Sequence, residues 1–400
     1  MNKLIYGYGV TGKAVEAFFN KKNIQYKIFD ENLNENYDNK IVKDELLKEN
    51  FDQVILSPGI QENNDILKLL RKKNLSVVTD IDLFDKYHKQ KSKIIGVTGT
   101  NGKTTFVKLL NDFLDLEGFK TIACGNIGES PLNIVDDDYD YIIIELSSYQ
   151  LHHTKSLRLD YGILLNIASD HLDWHGSLED YIEAKSKIFS FVDKEKVIFY
   201  DNIFSNNNSR KPHLSKINLE KYNFHEISLP SELSRSFLDM INFLDFDMEN
   251  TVQRGYEFLK KINPIEHRFE NVSFNDEVVY INDSKATNFH AVSSAIRRVE
   301  NAILILHGLT KNMPSSELKL NENIKKIIKP KDMKLDLVNY GGVLIEIDSI
   351  YDLKNVLLKE IEIGDTVLFS CGGSSFNDFK NYEDRGNYFK KIVDEFKNEN

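Results

Sequence analysis

The sequence predicts an α/β protein made of three successive blocks, and three observations carry that prediction. Short apolar, strand-like runs alternate with amphipathic stretches along almost the whole chain. Glycine-rich turns follow the first of these runs and the run Ile94-Ile95-Gly96-Val97. At 400 residues the chain is too long for one ordinary core and suits two or three.

The first block runs from residue 1 to 91 and closes in the charged stretch Asp85-Lys86-Tyr87-His88-Lys89-Gln90-Lys91. The second, 92 to 263, opens on Ile94-Ile95-Gly96-Val97 and contains the polar stretch 201–210, expected as a surface loop. Pro264 reads as a hinge into the third block, 264 to 400.

A hydrophobic content of 41% with 28% charged residues describes a globular protein rather than a disordered or fibrous one. The sequence holds no apolar run of about twenty residues. Met1-Asn2-Lys3-Leu4-Ile5 enters a strand-like run without a signal-peptide pattern, so a cytoplasmic protein with no membrane partner is expected. A net charge of −11 argues against nucleic-acid partners, which favour a basic surface. Phosphate ligands stay open, since backbone N–H groups can hold them. Cys124 and Cys371 are the only cysteines, so neither a disulfide framework nor a cysteine metal site is expected.

In the first block, Gly7-Tyr8-Gly9-Val10-Thr11-Gly12 follows Leu4-Ile5-Tyr6 and leads into Ala14, Val15, Phe18 and Phe19 at helical spacing. Glycines there tighten the turn and let a ligand phosphate approach the backbone at a helix N-terminus. Asp30 closes Tyr26-Lys27-Ile28-Phe29, where an acid often meets a ribose hydroxyl. Taken alone, this reads equally as a dinucleotide site or as a tight strand–helix turn.

The second block opens on Gly96-Val97-Thr98-Gly99-Thr100-Asn101-Gly102-Lys103-Thr104-Thr105, followed by Phe106, Leu109, Leu110, Phe113 and Leu114 at helical spacing. A phosphate loop needs glycines that aim N–H groups inward, a lysine for the β/γ-phosphates and a hydroxyl for Mg²⁺. Lys103 and Thr104 supply the last two, although the spacing from Gly96 is one residue longer than the common pattern. Downstream, Glu145 leaves the apolar run Tyr141-Ile142-Ile143-Ile144, placed to reach that Mg²⁺ from a strand end. Gly162-Ile163-Leu164-Leu165-Asn166-Ile167 then leads to Ser169-Asp170-His171-Leu172-Asp173-Trp174-His175, of which His171 is the better functional candidate. Asp170 and Asp173 serve equally well as caps for the following helix.

In the third block, His267-Arg268-Phe269-Glu270 precedes Val278-Val279-Tyr280-Ile281 and Asn282-Asp283-Ser284-Lys285-Ala286-Thr287-Asn288. Arg268 and Lys285 would neutralise phosphate charge, with Asp283 orienting one of them; a surface ion pair is the plainer alternative. Two further strand-like runs end in His307-Gly308-Leu309-Thr310-Lys311 and Ser370-Cys371-Gly372-Gly373-Ser374-Ser375-Phe376.

Together these motifs resemble the Mur ligase family. The TGTNGKT loop with its extra residue, Gly125-Asn126-Ile127-Gly128, the ELSSYQL run 145–151 and the N-x-x-x-D-H-L-D run 166–173 follow in family order. The DSKATN run 283–288, HRFE before it and Phe379-Lys380-Asn381-Tyr382-Glu383-Asp384-Arg385-Gly386 resemble the D-glutamate-adding branch. The segment Ser231-Glu232-Leu233-Ser234-Arg235-Ser236-Phe237 departs from the family, lacking its H-N-x-x-N asparagines for ATP. The loop before Lys311 is also poorer in glycine than usual.

The resemblance implies an N-terminal Rossmann-like UDP-binding domain, a central P-loop ATPase-type domain and a C-terminal Rossmann-like domain that takes the amino acid. It implies ATP-dependent addition of D-glutamate to UDP-N-acetylmuramoyl-L-alanine by a monomer. Val10, Thr11, Asp30, Ser57 and Gly59 would hold the UDP, and Asn126 the muramoyl-peptide end. Gly99, Thr100, Asn101, Gly102, Lys103, Thr104 and Thr105 would take ATP, together with Arg268, Asp283 and Lys285. Thr104, Glu145, His171 and a carbamylated Lys185 would bind Mg²⁺; the CO₂ adduct turns an ammonium into an anionic oxygen ligand. Thr287, Lys311, Ser375 and Phe376 would bind D-glutamate. The implied reaction is attack of the alanyl carboxylate on the γ-phosphate, then attack of the amine on the acyl phosphate, with the C-terminal domain closing on ATP. The alternatives are another Mur-type or folate-polyglutamate-type ligase, a mechanical P-loop NTPase, a nicotinamide-dependent dehydrogenase, and a non-catalytic UDP-sugar-binding protein.

Overall fold

The computed structural model of the chain describes residues 2–34, 36–46, 48–89, 91–199, 222–224, 227, 229–244, 250–262, 265–311, 313–337 and 340–399. The polar stretch 201–210, Gln90 and the expected hinge at Pro264 lie outside them. Two compact units emerge. One comprises Met1–Ile167, Glu179–Tyr222 and Arg235–Phe258; the other comprises Ala168–Leu178, Asn223–Ser234 and Leu259–Asn400.

The first unit holds two sheets whose strands all pair in parallel. One contains β1 (Asn2–Tyr6), β2 (Gln25–Phe29), β3 (Gln53–Leu56) and β4 (Ser76–Val78), in the order β2-β1-β3-β4. The other contains β5 (Lys93–Thr98), β6 (Thr121–Gly125), β7 (Tyr141–Glu145), β8 (Tyr161–Leu164) and β9 (Val197–Phe199), in the order β6-β7-β5-β8-β9. Both orders place β1 and β5 inside their sheets and beside a reversal of strand order. Ligand crevices form at such points, outside the carboxyl ends of the strands. The apolar run Ile142-Ile143-Ile144 is fully buried, as expected of a strand covered on both faces.

The second unit holds β10 (Glu270–Asn271), β11 (Val279–Asn282), β12 (Ala302–His307), β13 (Ile324–Pro330), β14 (Val343–Ile347) and β15 (Thr366–Gly372), in the order β10-β11-β15-β12-β13-β14. All pairs are parallel except β10 with β11. Successive strand residues point to opposite faces, so β12 feeds two cores at once. Ile303 and Ile305 pack with Val367, Phe369, Phe389 and Val393, whereas Leu304 and Leu306 pack with Phe289, Val292 and Leu368. Parallel pairing of β15 with β11 and β12 keeps the carboxyl ends of the three strands side by side, and the motifs of the third block leave from those ends.

Candidate active site

In the first sheet, β1 hands over to the helix Val10–Lys21 through Gly7, Tyr8 and Gly9. Gly7 has φ +91°, and a Cβ on it would lie 2.7 Å from Ser57 Cβ; on Gly12 it would lie 2.2 Å from the Gly7 carbonyl oxygen. Only glycine permits this closeness of turn, helix and neighbouring loop. Ser57 Oγ donates to the Gly7 carbonyl at 2.8 Å, joining the loops that follow β1 and β3. Asp30 Oδ2 accepts from the Tyr8 N–H at 2.6 Å, so the acid at the end of β2 also braces the glycine turn. Val10 and Gly59 are exposed beside Thr11 at this mouth.

In the second sheet, β5 runs into residues 99–102 and then the helix Lys103–Leu116. Gly102 caps the helix in the left-handed region at φ +83°. Lys103 Nζ lies over the loop, donating to the carbonyls of Gly99 at 2.8 Å and Thr100 at 3.0 Å. Asn166, beyond β8, clamps the same loop: its Oδ1 accepts from Asn101 N–H at 2.8 Å and its Nδ2 donates to the Asn101 carbonyl at 3.0 Å. Its own carbonyl accepts from Thr100 N–H at 2.9 Å. Thr104 begins the helix partly exposed, while Thr105 is buried.

Lys185 also meets this loop, and Glu145 ends the strand paired with β5. Lys185, 1% exposed, donates from Nζ to the Gly99 carbonyl at 2.8 Å, and Tyr181 OH stands 3.0 Å from Thr100 Oγ1. Glu145, also 1% exposed, ends β7; its Oε1 accepts from Asn126 Nδ2 at 2.8 Å. Its Oε2 is buried with no hydrogen-bond partner among the described residues. A buried carboxylate oxygen left unpaired is costly, and a hard oxygen-seeking cation would satisfy it. That fits Mg²⁺ at the phosphate loop.

In the second unit, the strand ends form a tight frame. Arg385, fully buried, donates from Nη2 to the Ser284 carbonyl at 2.7 Å and from Nη1 to the carbonyls of Gly373 at 2.9 Å and His307 at 3.1 Å. One guanidinium thus joins the loops that leave β11, β15 and β12. Leu309 and Ser374 add a backbone bridge between the latter two. Ser375 is buried behind that bridge and Phe376 is exposed, while Thr287 is partly exposed.

Asp283 differs from its expected role as an orienter of Arg268 or Lys285. Its oxygens accept from Phe269 N–H at 3.0 Å and Ser370 Oγ at 2.7 Å, and burial pushes its carboxyl up to about 6. Lys285 Nζ sits 3.7 Å from the centre of the Tyr382 ring, a cation–π contact. Arg268 is partly exposed, between His267 and Phe269, which both have positive φ. Lys311 Nζ is paired at 2.9 Å with Asp170 Oδ1, whose other oxygen accepts from Asn288 Nδ2 at 3.3 Å. Burial pushes Asp170 up, but His171 and Lys311 outweigh it and hold the carboxyl below its ordinary value. His171 itself starts the helix Leu172–His175 at φ +55°.

A model of the Mur ligase middle domain matches residues 97–251. The UDP-N-acetylmuramoylalanine–D-glutamate ligase of Buchnera aphidicola subsp. Schizaphis graminum is 31% identical over 441 aligned positions, covering 98% of this chain and 97% of that protein. The enzyme of the same name from Thermosipho africanus is 32% identical over 366 positions, covering 86% and 84%. The chain belongs to the Mur ligase family. Solved structures agree in fold. A pseudomurein peptide ligase type C from Methanothermus fervidus matches with a TM-score of 0.59 at 14% identity, over 99% of each chain. A MurF ligase from Thermotoga maritima in complex with ADP matches with 0.58 at 16%, over 95% and 92%.

In this Mur ligase Lys103, Thr104 and Lys185 lie at one loop, Glu145 ends the strand paired with β5 before it, and Asp283, Lys285, Lys311 and Ser375 lie at neighbouring strand ends. Sequence reasoning assigned no role to Asn166 or Arg385, though both lie within quoted motifs. A charged residue in the apolar pattern of the helix Tyr382–Glu399 was the available signal for Arg385.

Proposed function

We propose that this Mur ligase joins the amine of D-glutamate to the alanyl carboxylate of UDP-N-acetylmuramoyl-L-alanine, using ATP, in cytoplasmic synthesis of peptidoglycan precursors. Likeness over nearly the whole chain to UDP-N-acetylmuramoylalanine–D-glutamate ligases carries this reading. In it the chain forms three domains, 1–91 for the UDP-sugar, 92–263 for ATP and 264–400 for the amino acid, and acts as a monomer.

The UDP pyrophosphate lies over the glycine turn at Val10 and Thr11, with Asp30, Ser57 and Gly59 around it and Asn126 toward the muramoyl peptide. The loop 99–105 surrounds the ATP phosphates, and Lys103 supplies the cation that offsets charge as the γ-phosphoryl group moves. Mg²⁺, held by Thr104, Glu145, His171 and carbamylated Lys185, would neutralise further phosphate charge. Support comes from the buried Glu145 Oε2, which has no hydrogen-bond partner among the described residues. Arg268, Asp283 and Lys285 complete the ATP site. Thr287, Lys311, Ser375 and Phe376 bind D-glutamate, and Lys311 carries the cation that a dicarboxylate requires. The amine then attacks the acyl phosphate, phosphate leaves and the amide remains.

The test is phosphate release from ATP and Mg²⁺ with UDP-N-acetylmuramoyl-L-alanine, offering D-glutamate, L-glutamate, L-lysine and meso-diaminopimelate in turn. Release with D-glutamate alone is the expected result. Release with a different amino acid keeps the ligase and overturns the assignment at Thr287, Lys311 and Ser375. Silence with all four removes the enzyme reading.

A further inference from the structure

We propose that Glu62, His152 and His153 form a binding site for a transition-metal dication such as Zn²⁺, separate from the phosphate loop. Glu62 lies in the loop between β3 and the helix Asp65–Lys72, and the two histidines end the helix Ser148–His153. His152 Nε2 and His153 Nδ1 each stand 3.4 Å from Glu62 Oε1, and the three ligand atoms lie within 4.8 Å of one another. Ligands about 2.0–2.2 Å from a tetrahedral zinc stand roughly 3.3–3.6 Å apart, which matches the two histidine–carboxylate separations.

The tautomer of His153 supplies an independent argument. Its Nε2 is 2.9 Å from the Ile60 carbonyl, which can only accept, so Nε2 carries the proton. In the neutral ring, Nδ1 then directs a lone pair at a carboxylate oxygen, two acceptors face to face. A cation between the two acceptors would relieve this approach. A histidine that donates its far N–H to a backbone carbonyl is also the usual outer-shell arrangement of a metal ligand. Neutral imidazole is the form that binds, and two imidazoles with one carboxylate favour zinc-like ions over Mg²⁺. Arg71 Nη2 holds the same Glu62 Oε1 at 2.6 Å and, half exposed, would move to the other oxygen when an ion binds. Occupancy would fasten the turn carrying Ile60 to the helix that follows Glu145.

Cobalt(II) chloride titrated into the full-length chain in a large excess of Mg²⁺ tests this, because four-coordinate Co²⁺ absorbs in the visible. One equivalent should give that absorption and lose it to Zn²⁺. H152Q and H153Q should each weaken binding by roughly tenfold or more, while E145Q leaves it unchanged. His152 is partly exposed, so H152Q disturbs less buried structure than H153Q does. Absence of the absorption, its survival in the H152Q/H153Q double variant, or its loss in E145Q would overturn the proposal. Phosphate-release activity is not the readout, so this result and the ligase assay fail or succeed separately.

Discussion

Asn126 Nδ2 donates to Glu145 Oε1 at 2.8 Å, turning Glu145 so that its other oxygen faces a buried position with no hydrogen-bond partner among the described residues. The carboxylate is therefore held in a costly state that a metal relieves. E145Q should lower kcat by about 10²–10³ yet leave the metal-free protein at least as stable as the parent. Steady-state phosphate release and thermal melts with and without Mg²⁺ check both halves. Retained activity, or a Tm well below the parent without Mg²⁺, would refute the metal role.

Asn166 acts on the phosphate loop through two side-chain hydrogen bonds to Asn101. Both are lost in N166A, and the loop amides lose their preset direction. The expected cost is about 1–3 kcal/mol of stability, with KM for ATP raised roughly tenfold and KM for the UDP-sugar little changed. Urea unfolding and substrate-varied kinetics measure these. Equal rises in both KM values would mean a general loosening instead.

The Lys311–Asp170 pair makes a double-variant test. K311M leaves the buried Asp170 without its lysine, though Asn288 and His171 remain beside it, and up to about 3 kcal/mol of destabilisation is expected; K311M/D170N should recover part of it. The pH sign follows from the lowered carboxyl of Asp170. Its contribution is present above the unfolded-state value and is lost as pH falls through the lower folded-state value. Denaturant melts of the parent and D170N should converge in acid, and parallel curves would contradict the pairing.

Asp80 gives the opposite sign. Burial raises its carboxyl from 3.8 to about 6, and its Oδ1 is buried without a hydrogen-bond partner among the described residues. Its contribution is complete below 3.8 and is lost as pH rises through about 6. The parent should therefore lose up to ~3 kcal/mol relative to D80N across that window. Chemical denaturation at stepped pH reads the difference, and a flat difference would sink the idea.

R385K removes the fork that joins three loops, since a single ammonium cannot reach all three carbonyls in the same geometry. Leaving buried carbonyls unsatisfied should cost about 3 kcal/mol or more, and KM for the amino acid should rise more than KM for ATP. Calorimetric melts and kinetics at fixed ATP are the check. Parent-like melting would show that the frame stands without Arg385.

The local features were legible because they are written in short stretches of chain. The short apolar runs, the glycine turns and the Lys103-Thr104 helix start need only neighbours to form, and their order along the chain carried the family likeness. The sequence by itself determined the α/β class, the phosphate loop and the strand-end motifs. Partnerships across long separations had no such trace. Asn166 meets Asn101 across 65 residues, Arg385 meets Ser284 across 101, and Lys311 meets Asp170 across 141. The same distance hid the approach of Glu62 to the histidine pair. Only the tertiary structure decided that Lys311 is paired, that Asp283 is held by Ser370 and the Phe269 N–H, and that one Glu145 oxygen has no hydrogen-bond partner among the described residues. Burial and hydrogen-bond competition set these outcomes, and both depend on which distant groups the packed sheets bring within reach.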